Sequence, residues 1–267
     1  MQPNAAHNGH EAHPDHIHLP PPSYWPIFTA TAAGLLMTGL LLWLWEASMG
    51  VSLIVVGSLL AITGLMGWAQ ALIKENAELP DVVEDDRWMK MGLKLFLVSE
   101  AAIFGAFFGH HYYTRFDFPQ WPPVGAPHLD TTLPAIATLI LMTSSVTMEY
   151  AHHLLKQNKR DKSRLWLGIT LLLGIIFMGF QGHEYGFLKA YDQFTLSSGM
   201  FGTHFFAMTG FHGAHVATGI IMMFIVGLRL RLGHYTPERH FSFAAASWYW
   251  HFVDVIWIFL FFTIYLF

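Results

Sequence analysis

The sequence predicts an all-α integral membrane protein that crosses the bilayer seven times. Three observations predict this fold class. Hydrophobic residues make up 54% of the chain and charged residues only 12%, which is about half the charge of soluble domains. Apolar stretches long enough to cross a bilayer occur seven times. Most lysines and arginines fall into alternate connections between these stretches. The composition therefore excludes a water-soluble enzyme.

The seven apolar stretches are spaced along most of the chain. A bilayer-crossing helix needs about 20 mostly apolar residues. The predicted spans are 27–45, 51–73, 91–113, 133–155, 165–185, 200–228 and 248–267. Strands of a membrane barrel would alternate polar and apolar residues, and stretches such as 169–180 do not. We therefore expect helices.

The basic residues predict the orientation of the chain. Of the 14 lysines and arginines, only Arg115 and Lys189 fall on one predicted side of the membrane. The other side holds Lys74, Arg87, Lys90, Lys94, Lys156, Lys159, Arg160, Lys162, Arg164, Arg229, Arg231 and Arg239. Basic residues concentrate on the inner side of a membrane. We therefore expect an N-terminus in the cytoplasm or the mitochondrial matrix, and a C-terminus outside.

Residues 1–25 differ from the remainder of the chain. They contain five histidines, several prolines and no lysine or arginine. A signal peptide needs a basic start and an apolar core, which this segment lacks. We expect a flexible cytoplasmic tail that precedes a membrane domain at 26–267. The regular spacing of His7, His10, His13, His16 and His18 also fits a metal-binding segment.

Cysteine content and charge exclude further classes of protein. The chain has no cysteine, so disulfide scaffolds, thiolate metal sites and iron–sulfur clusters are ruled out. The formal net charge is −4 and the basic residues are scattered. Nothing therefore indicates nucleic-acid binding.

Glu100 is a carboxylate in the middle of the third predicted span. Ionisable side chains at membrane depth are costly and are often functional. Its apolar surroundings favour the uncharged carboxyl, the form that hydrophobic carbodiimides modify. One interpretation is proton handling or a conformational hinge. The other is a hydrogen bond that holds two helices together.

Histidines of the sixth span raise the question of a metal site. His212 and His215 are three residues apart, and His204 lies about 16 Å from His215 along a helix. One metal ion cannot bridge that distance. Helix-to-helix contacts remain the alternative for each histidine.

Two further pairs have helical spacing. Glu149 and His152 form an E-x-x-H pair, which binds di-iron centres when two such pairs face each other. The predicted spans contain no second pair. His251 and Asp254 are also three apart, a spacing that suits a hydrogen bond orienting the imidazole. These pairs keep a membrane metalloenzyme open as a hypothesis.

Two long segments resemble a known family. Residues 205–216 read FFAMTGFHGAHV and residues 248–257 read WYWHFVDVIW. Both closely resemble subunit III of haem–copper oxidases. Further similar segments are 22–26, 96–100, 121–123, 150–153 and 181–185. The resemblance covers nearly the whole chain, and seven spans are typical of the cytochrome c oxidase form.

The resemblance implies a non-catalytic subunit of a proton-translocating oxidase. Such a subunit carries no haem and no copper, which reside in partner subunits. Subunit I would be its main contact, with subunit II in the same complex and cytochrome c as the electron donor. Phospholipids would fill a cleft between helices 1–2 and helices 3–7. The subunit would sustain proton uptake and turnover stability of subunit I.

The resemblance also implies roles for individual residues. Glu100 matches a carbodiimide-reactive carboxyl related to proton uptake. Trp68, Lys90 and Arg229 match lipid contacts, although Ala69 and Gln70 depart from the family pattern after Trp68. The remaining polar residues would be structural contacts rather than metal ligands: Glu149, His152, His153, Glu184, His204, His212, His215, His251 and Asp254.

Two other functions stay open. A homologous subunit of a quinol oxidase or nitric oxide reductase system would share most of these features. A free-standing proton or metal transporter, using Glu100 and the N-terminal histidines, belongs to a different class. We expect a bacterial plasma membrane location, with the mitochondrial inner membrane as the alternative.

Overall fold

The chain forms seven α-helices and a short π-helical turn within the part that the structure, a computed structural model, describes. The described residues are 22–78, 87–124, 126–127, 129–191 and 193–266. The helices are α1 (Trp25–Leu44), α2 (Met49–Glu78), α3 (Arg87–Asp117), α4 (Thr132–Lys156), α5 (Arg160–Tyr191), α6 (Gly199–Arg231) and α7 (Phe241–Phe261), and the turn is Phe262–Leu266. The histidines of the predicted tail lie outside the described residues.

All seven helices are long and apolar enough to cross a membrane, which confirms the predicted fold class. Their outer faces expose large apolar side chains. Leu95, Leu139 and Val146 are each more than 60% exposed. In a bilayer, such faces contact lipid tails or other membrane helices instead of water.

Most helices extend beyond the predicted spans at one or both ends, most of all at the start of α7. The prediction began at Trp248, whereas α7 begins at Phe241. Phe243, Ala246 and Ser247 in this first part are fully buried within the protein. Small residues that face other helices add little to the hydropathy of a segment. The prediction followed the apolar run alone and therefore placed the start of α7 too late.

α1 and α2 form one compact unit, a helical hairpin. Glycines bring the two backbones together. A Cβ atom added at Gly39 would lie 2.6 Å from the backbone nitrogen of Ile54, and one at Gly57 would lie 2.6 Å from that of Leu36. Close backbone approach at small residues is a common way for helices to associate in lipid.

α3 to α7 form a second compact unit around a core of aromatic side chains. Trp250 of α7 lies at its centre and is completely buried. Its indole N–H donates to Ser144 Oγ on α4 at 2.9 Å. Its ring occupies space left by glycines, because a Cβ at Gly219 or Gly174 would lie 2.7 or 2.9 Å from ring atoms. The glycines of α5 and α6 therefore shape the core.

The π-helical turn is anchored to two other helices. Thr263 and Tyr265 are both buried. Thr263 Oγ1 lies 3.0 Å from the hydroxyl of Tyr112 on α3. The hydroxyl of Tyr265 donates to Glu184 Oε2 on α5 at 2.9 Å. These two hydrogen bonds hold the C-terminal turn against the bundle.

Candidate functional site

Glu100 of α3 and His215 of α6 form a pair inside the second unit. Glu100 Oε2 lies 3.1 Å from His215 Nε2. Their side chains are only 16% and 11% exposed. Residues 115 positions apart in the chain thus meet because α3 packs against α6. The sequence identified both residues but did not pair them.

The hydrogen bonds of His215 fix how many protons the pair holds. Nδ1 lies 2.8 Å from the backbone carbonyl of Phe211. A carbonyl only accepts, so Nδ1 carries a proton. Nε2 then either accepts a proton from a neutral Glu100 carboxyl or donates one to a carboxylate. In both cases one proton is shared between the two side chains, and the pair is neutral overall.

Aromatic rings surround His215. The rings of Phe104 and Phe211 lie 5.1 and 4.6 Å from the imidazole, centre to centre. Tyr249 stacks on it at 6.3 Å, and its hydroxyl donates to the His215 carbonyl at 3.3 Å. Such a low-polarity shell strengthens the hydrogen bond between carboxyl and imidazole. The site can therefore hold a proton away from bulk water.

A second polar cluster connects α4 and α7. Ser145 Oγ donates to Asp254 Oδ2 and lies 2.8 Å from His251 Nδ1. The sequence prediction joined His251 directly to Asp254, whereas here both contact Ser145. Glu149 Oε2 lies 3.7 Å from His251 Nε2. Ser145 was missed because an uncharged hydroxyl within a span is common and gives no signal of its own.

His212 and His204 of α6 have different surroundings. His212 is completely buried, and its Nε2 donates to the Val253 carbonyl of α7 at 3.1 Å. His204 packs against the rings of His110, His111 and Trp121. Its two ring nitrogens have no hydrogen-bond partner among the described residues. His212 therefore joins two helices by hydrogen bonding, whereas His204 does so by ring packing.

His152 and His153 lie near the C-terminal end of α4. His152 Nδ1 is 4.0 Å from Glu149 Oε2, and its ring stacks on Phe243 of α7. His153 is exposed, and its Nε2 accepts from Gln157 Nε2 at 2.7 Å. His153 thus makes a contact within its own helix, whereas His152 packs between helices.

Two of the three predicted lipid contacts, Lys90 and Arg229, lie at helix ends. Arg229 is exposed in the last turn of α6. Its guanidinium donates to Ser242 Oγ at 2.9 Å and lies 5.0 Å from the Tyr235 ring. Burial raises the pKa of Tyr235, so its hydroxyl stays protonated and bonded to Ser242 at neutral pH. Trp68 is half-buried on α2, and Lys90 lies in the first turn of α3.

A basic contact that the sequence did not indicate lies near the start of α3. Lys94 Nζ lies 5.7 Å from the centre of the Trp248 ring on α7. A cation over the face of tryptophan is attracted by the ring. This contact joins α3 to α7 at the exposed side chain of Lys94.

The described residues do not form a metal centre. No three of their histidine, aspartate and glutamate side chains are arranged to hold a metal ion. Seven helices long and apolar enough to cross a bilayer define a multi-pass integral membrane protein. The family model for "Cytochrome c oxidase subunit III" matches residues 13–267. The chain belongs to this family.

Curated relatives agree with the family model. The chain is 38% identical over 267 residues to "Cytochrome c oxidase subunit 3" of Danio rerio, covering 96% of this chain and 98% of the relative. Identities to the proteins of the same name from Polypterus ornatipinnis and Branchiostoma lanceolatum are 39% and 36%, with the same coverage. The chain is therefore subunit III of a haem–copper oxidase and part of an oxidoreductase complex with other oxidase subunits.

Proposed function

We propose that this chain supports a cytochrome c oxidase without catalysing a reaction itself. Haem and copper reside in partner subunits, subunit I is the main contact, and cytochrome c donates the electrons. The observation that carries the proposal is the Glu100–His215 pair, which holds one proton inside an apolar bundle. Names of the relatives favour a cytochrome c donor over a quinol.

The pair suits a role in proton uptake. Glu100 and His215 exchange one proton between a carboxyl and an imidazole nitrogen 3.1 Å apart, without a net change of charge. The arrangement with an uncharged carboxyl and a neutral imidazole avoids the desolvation cost of separate charges at membrane depth. Proton delivery to subunit I is the step that such a pair would assist.

Removing this subunit from the purified oxidase should leave the initial rate of oxygen reduction largely unchanged. Activity should then decay faster over successive turnovers, because proton uptake by subunit I loses its support. Oxygen consumption followed to exhaustion, with and without the subunit, measures the decay. Equal catalytic lifetimes would contradict the proposed function, and re-adding the subunit provides the control.

Glu100→Gln should abolish carbodiimide labelling of this chain while the oxidase still assembles. The amide preserves the shape of the side chain but has no carboxyl for the reagent to attack. Mass spectrometry of the treated subunit locates the adduct. Glu184→Gln is the matched control, because Glu184 is a second partly buried carboxyl, bonded to Tyr265. Persisting label in Glu100→Gln would assign the reactivity to another carboxyl.

We also infer that Arg229 contacts phospholipid. Trp68 and Lys90 are proposed, each separately, as lipid contacts as well. Ser242 and Tyr235 hold the Arg229 guanidinium in place at an exposed helix end. A guanidinium has five N–H donors, so one bond to Ser242 leaves others that can face a headgroup phosphate. Aromatic and basic side chains at the membrane interface favour anionic headgroups.

Arg229→Ala should weaken binding of anionic phospholipid at this site by about fivefold, since one interfacial basic residue contributes about 1 kcal/mol. Phospholipid retained by the detergent-purified oxidase, quantified by mass spectrometry, gives the result. Arg231→Ala removes an equal charge from the same helix turn and is the control. Equal lipid loss in both variants would show that Arg229 attracts lipid only through its positive charge and does not form a specific site.

The orientation and location of the chain complete the proposal. The distribution of lysine and arginine supports an N-terminus in the cytoplasm or matrix. We propose the bacterial plasma membrane as the location. The mitochondrial inner membrane is the alternative, and the animal relatives are consistent with it.

A further inference from the structure

A small cavity lies between α4, α5 and α7. It offers about 10 Å³ to the centre of a water-sized sphere, which matches the space for one buried water molecule. Gln181 and Glu184 of α5 are the residues of its wall with amide and carboxyl groups. The remaining residues of the wall are largely apolar: Leu133, Pro134, Ala137, Phe177, Phe180 and Trp257.

The orientation of the Gln181 amide follows from its contact with α6. The amide nitrogen Nε2 lies 2.8 Å from the backbone carbonyl of Thr209. A carbonyl only accepts hydrogen bonds, so the atom that faces it must be the nitrogen and not the oxygen. The amide oxygen Oε1 is then an acceptor that is buried without a hydrogen-bond partner among the described residues. Gln181 as a whole is only 6% exposed.

The hydroxyl groups beside this amide have no proton left for Oε1. Thr209 donates its hydroxyl proton to the Phe205 carbonyl. Tyr185 must therefore be the donor in its 2.6 Å contact with Thr209 Oγ1. The Tyr185 hydroxyl also lies 3.4 Å from Gln181 Nε2, from which it accepts. The two hydroxyl protons are thus used elsewhere, and Gln181 Oε1 receives neither.

The donors on the other sides of the cavity are used as well. The indole N–H of Trp257 donates to Thr138 Oγ1 at 2.9 Å. The Tyr265 hydroxyl donates to Glu184 Oε2 at 2.9 Å, which leaves Oε1 of the same carboxyl group for another bond. Gln181 and Glu184 therefore offer an acceptor oxygen each at a cavity of the size of one water. Buried polar atoms of this kind are generally bonded to protein or to ordered water.

We propose that the cavity is a binding site for one ordered water molecule, which bridges Gln181 Oε1 and the Glu184 carboxyl group. Water has two protons to donate, one for each acceptor. A protonated carboxyl group would instead donate to the water oxygen, and the water would still donate to Gln181. A hard cation does not suit the cavity, because such ions take about six or more oxygen ligands. The site includes neither Glu100 nor His215.

The bridging water connects two sets of hydrogen bonds that are otherwise separate. Tyr265 joins the C-terminal turn to Glu184, and Gln181 joins α5 to Thr209 of α6. With the water between Glu184 and Gln181, the hydrogen bonds run without interruption from the C-terminal turn through α5 to α6. The water therefore acts as a structural ligand of the second unit.

An electron cryo-microscopy map of the whole oxidase, at a resolution that shows other buried waters, tests the site. We expect one density in the cavity, about 2.5–3.0 Å from Gln181 Oε1 and from a Glu184 carboxyl oxygen. A map without density at this position would overturn the proposal. A protein donor bonded to Gln181 Oε1, or a density surrounded by the oxygen ligands of a cation, would also overturn it.

Filling the cavity provides a second test. Ala137 lines the cavity and is 4% exposed, so Ala137→Val places two further methyl carbons at its wall. The density should then be lost. Ala135→Val is the matched control, because position 135 is on the same helix but does not line the cavity, and its map should keep the density. A density that persists in Ala137→Val would place the water outside the cavity and contradict the proposal.

Glu184→Leu tests the bridge without filling the cavity from α4. The leucine side chain removes one of the two acceptors, so the density should be lost as in Ala137→Val. Glu184→Gln retains an oxygen acceptor and should retain the density. Equal density in the leucine and glutamine variants would show that Glu184 does not bind the water.

Discussion

His215→Leu should destabilise the α3–α7 unit by about 1–3 kcal/mol, the usual cost of leaving a buried polar group without its hydrogen-bond partner. Glu100 would then face a leucine side chain within an aromatic shell. Its oxygen loses the 3.1 Å contact with Nε2. The free energy of unfolding in mixed micelles, measured by titration with a denaturing detergent, gives the change.

The matched double variant separates pairing from simple loss of a side chain. Replacing both Glu100 and His215 with leucine removes both polar groups and leaves none unpaired. Such a variant should recover most of the lost stability, because apolar replacement of a whole buried pair is often neutral. A double variant as unstable as His215→Leu would show that packing, and not the pair, determines the effect.

Trp250→Ala should cost about 3–5 kcal/mol, as is typical for truncating a large buried aromatic residue. The ring fills space beside Gly219 and Gly174, and its N–H bonds to Ser144. Removal of the ring leaves a cavity beside these two glycines, which have no side chains to fill it. The same titration measures the loss.

Trp88→Ala is the control for this second substitution. Trp88 lies at the start of α3 and is 74% exposed, so its truncation should change stability by about 0.5 kcal/mol or less. Similar losses for both tryptophans would mean that the core around Trp250 is loosely packed. A much larger loss for Trp250→Ala than for Trp88→Ala would show that packing of the Trp250 ring against the glycines stabilises the unit.

The number and type of helices could be predicted because each helix carries a long apolar run. The bounds were less predictable where protein, and not lipid, covers the helix. Phe241 to Ser247 belong to α7. In the sequence their small residues resemble a connection, and only the burial of Phe243 and Ser247 in the structure shows that this part of the helix packs against others. Hydropathy reports contact with apolar surroundings, and it does not report which residues continue a helix.

The residues of the candidate site could be predicted from the sequence, but the contact between them could not. Glu100 and His215 were both identified from the sequence, but only the packing of α3 against α6 brings them within 3.1 Å. The sequence instead grouped His215 with His212, three residues away. Ser145 gave no signal, because its role depends on lying between His251 and Asp254 on another helix.

The anchoring of the C-terminal turn has a consequence for biogenesis. Tyr112 and Glu184 enter the membrane with the growing chain, but their partners Thr263 and Tyr265 are synthesised 151 and 81 residues later. α3 and α5 are therefore synthesised before either of these hydrogen bonds can form. A chain truncated before Thr263 would lack both bonds, and its α7 should therefore be held less tightly against α3 and α5.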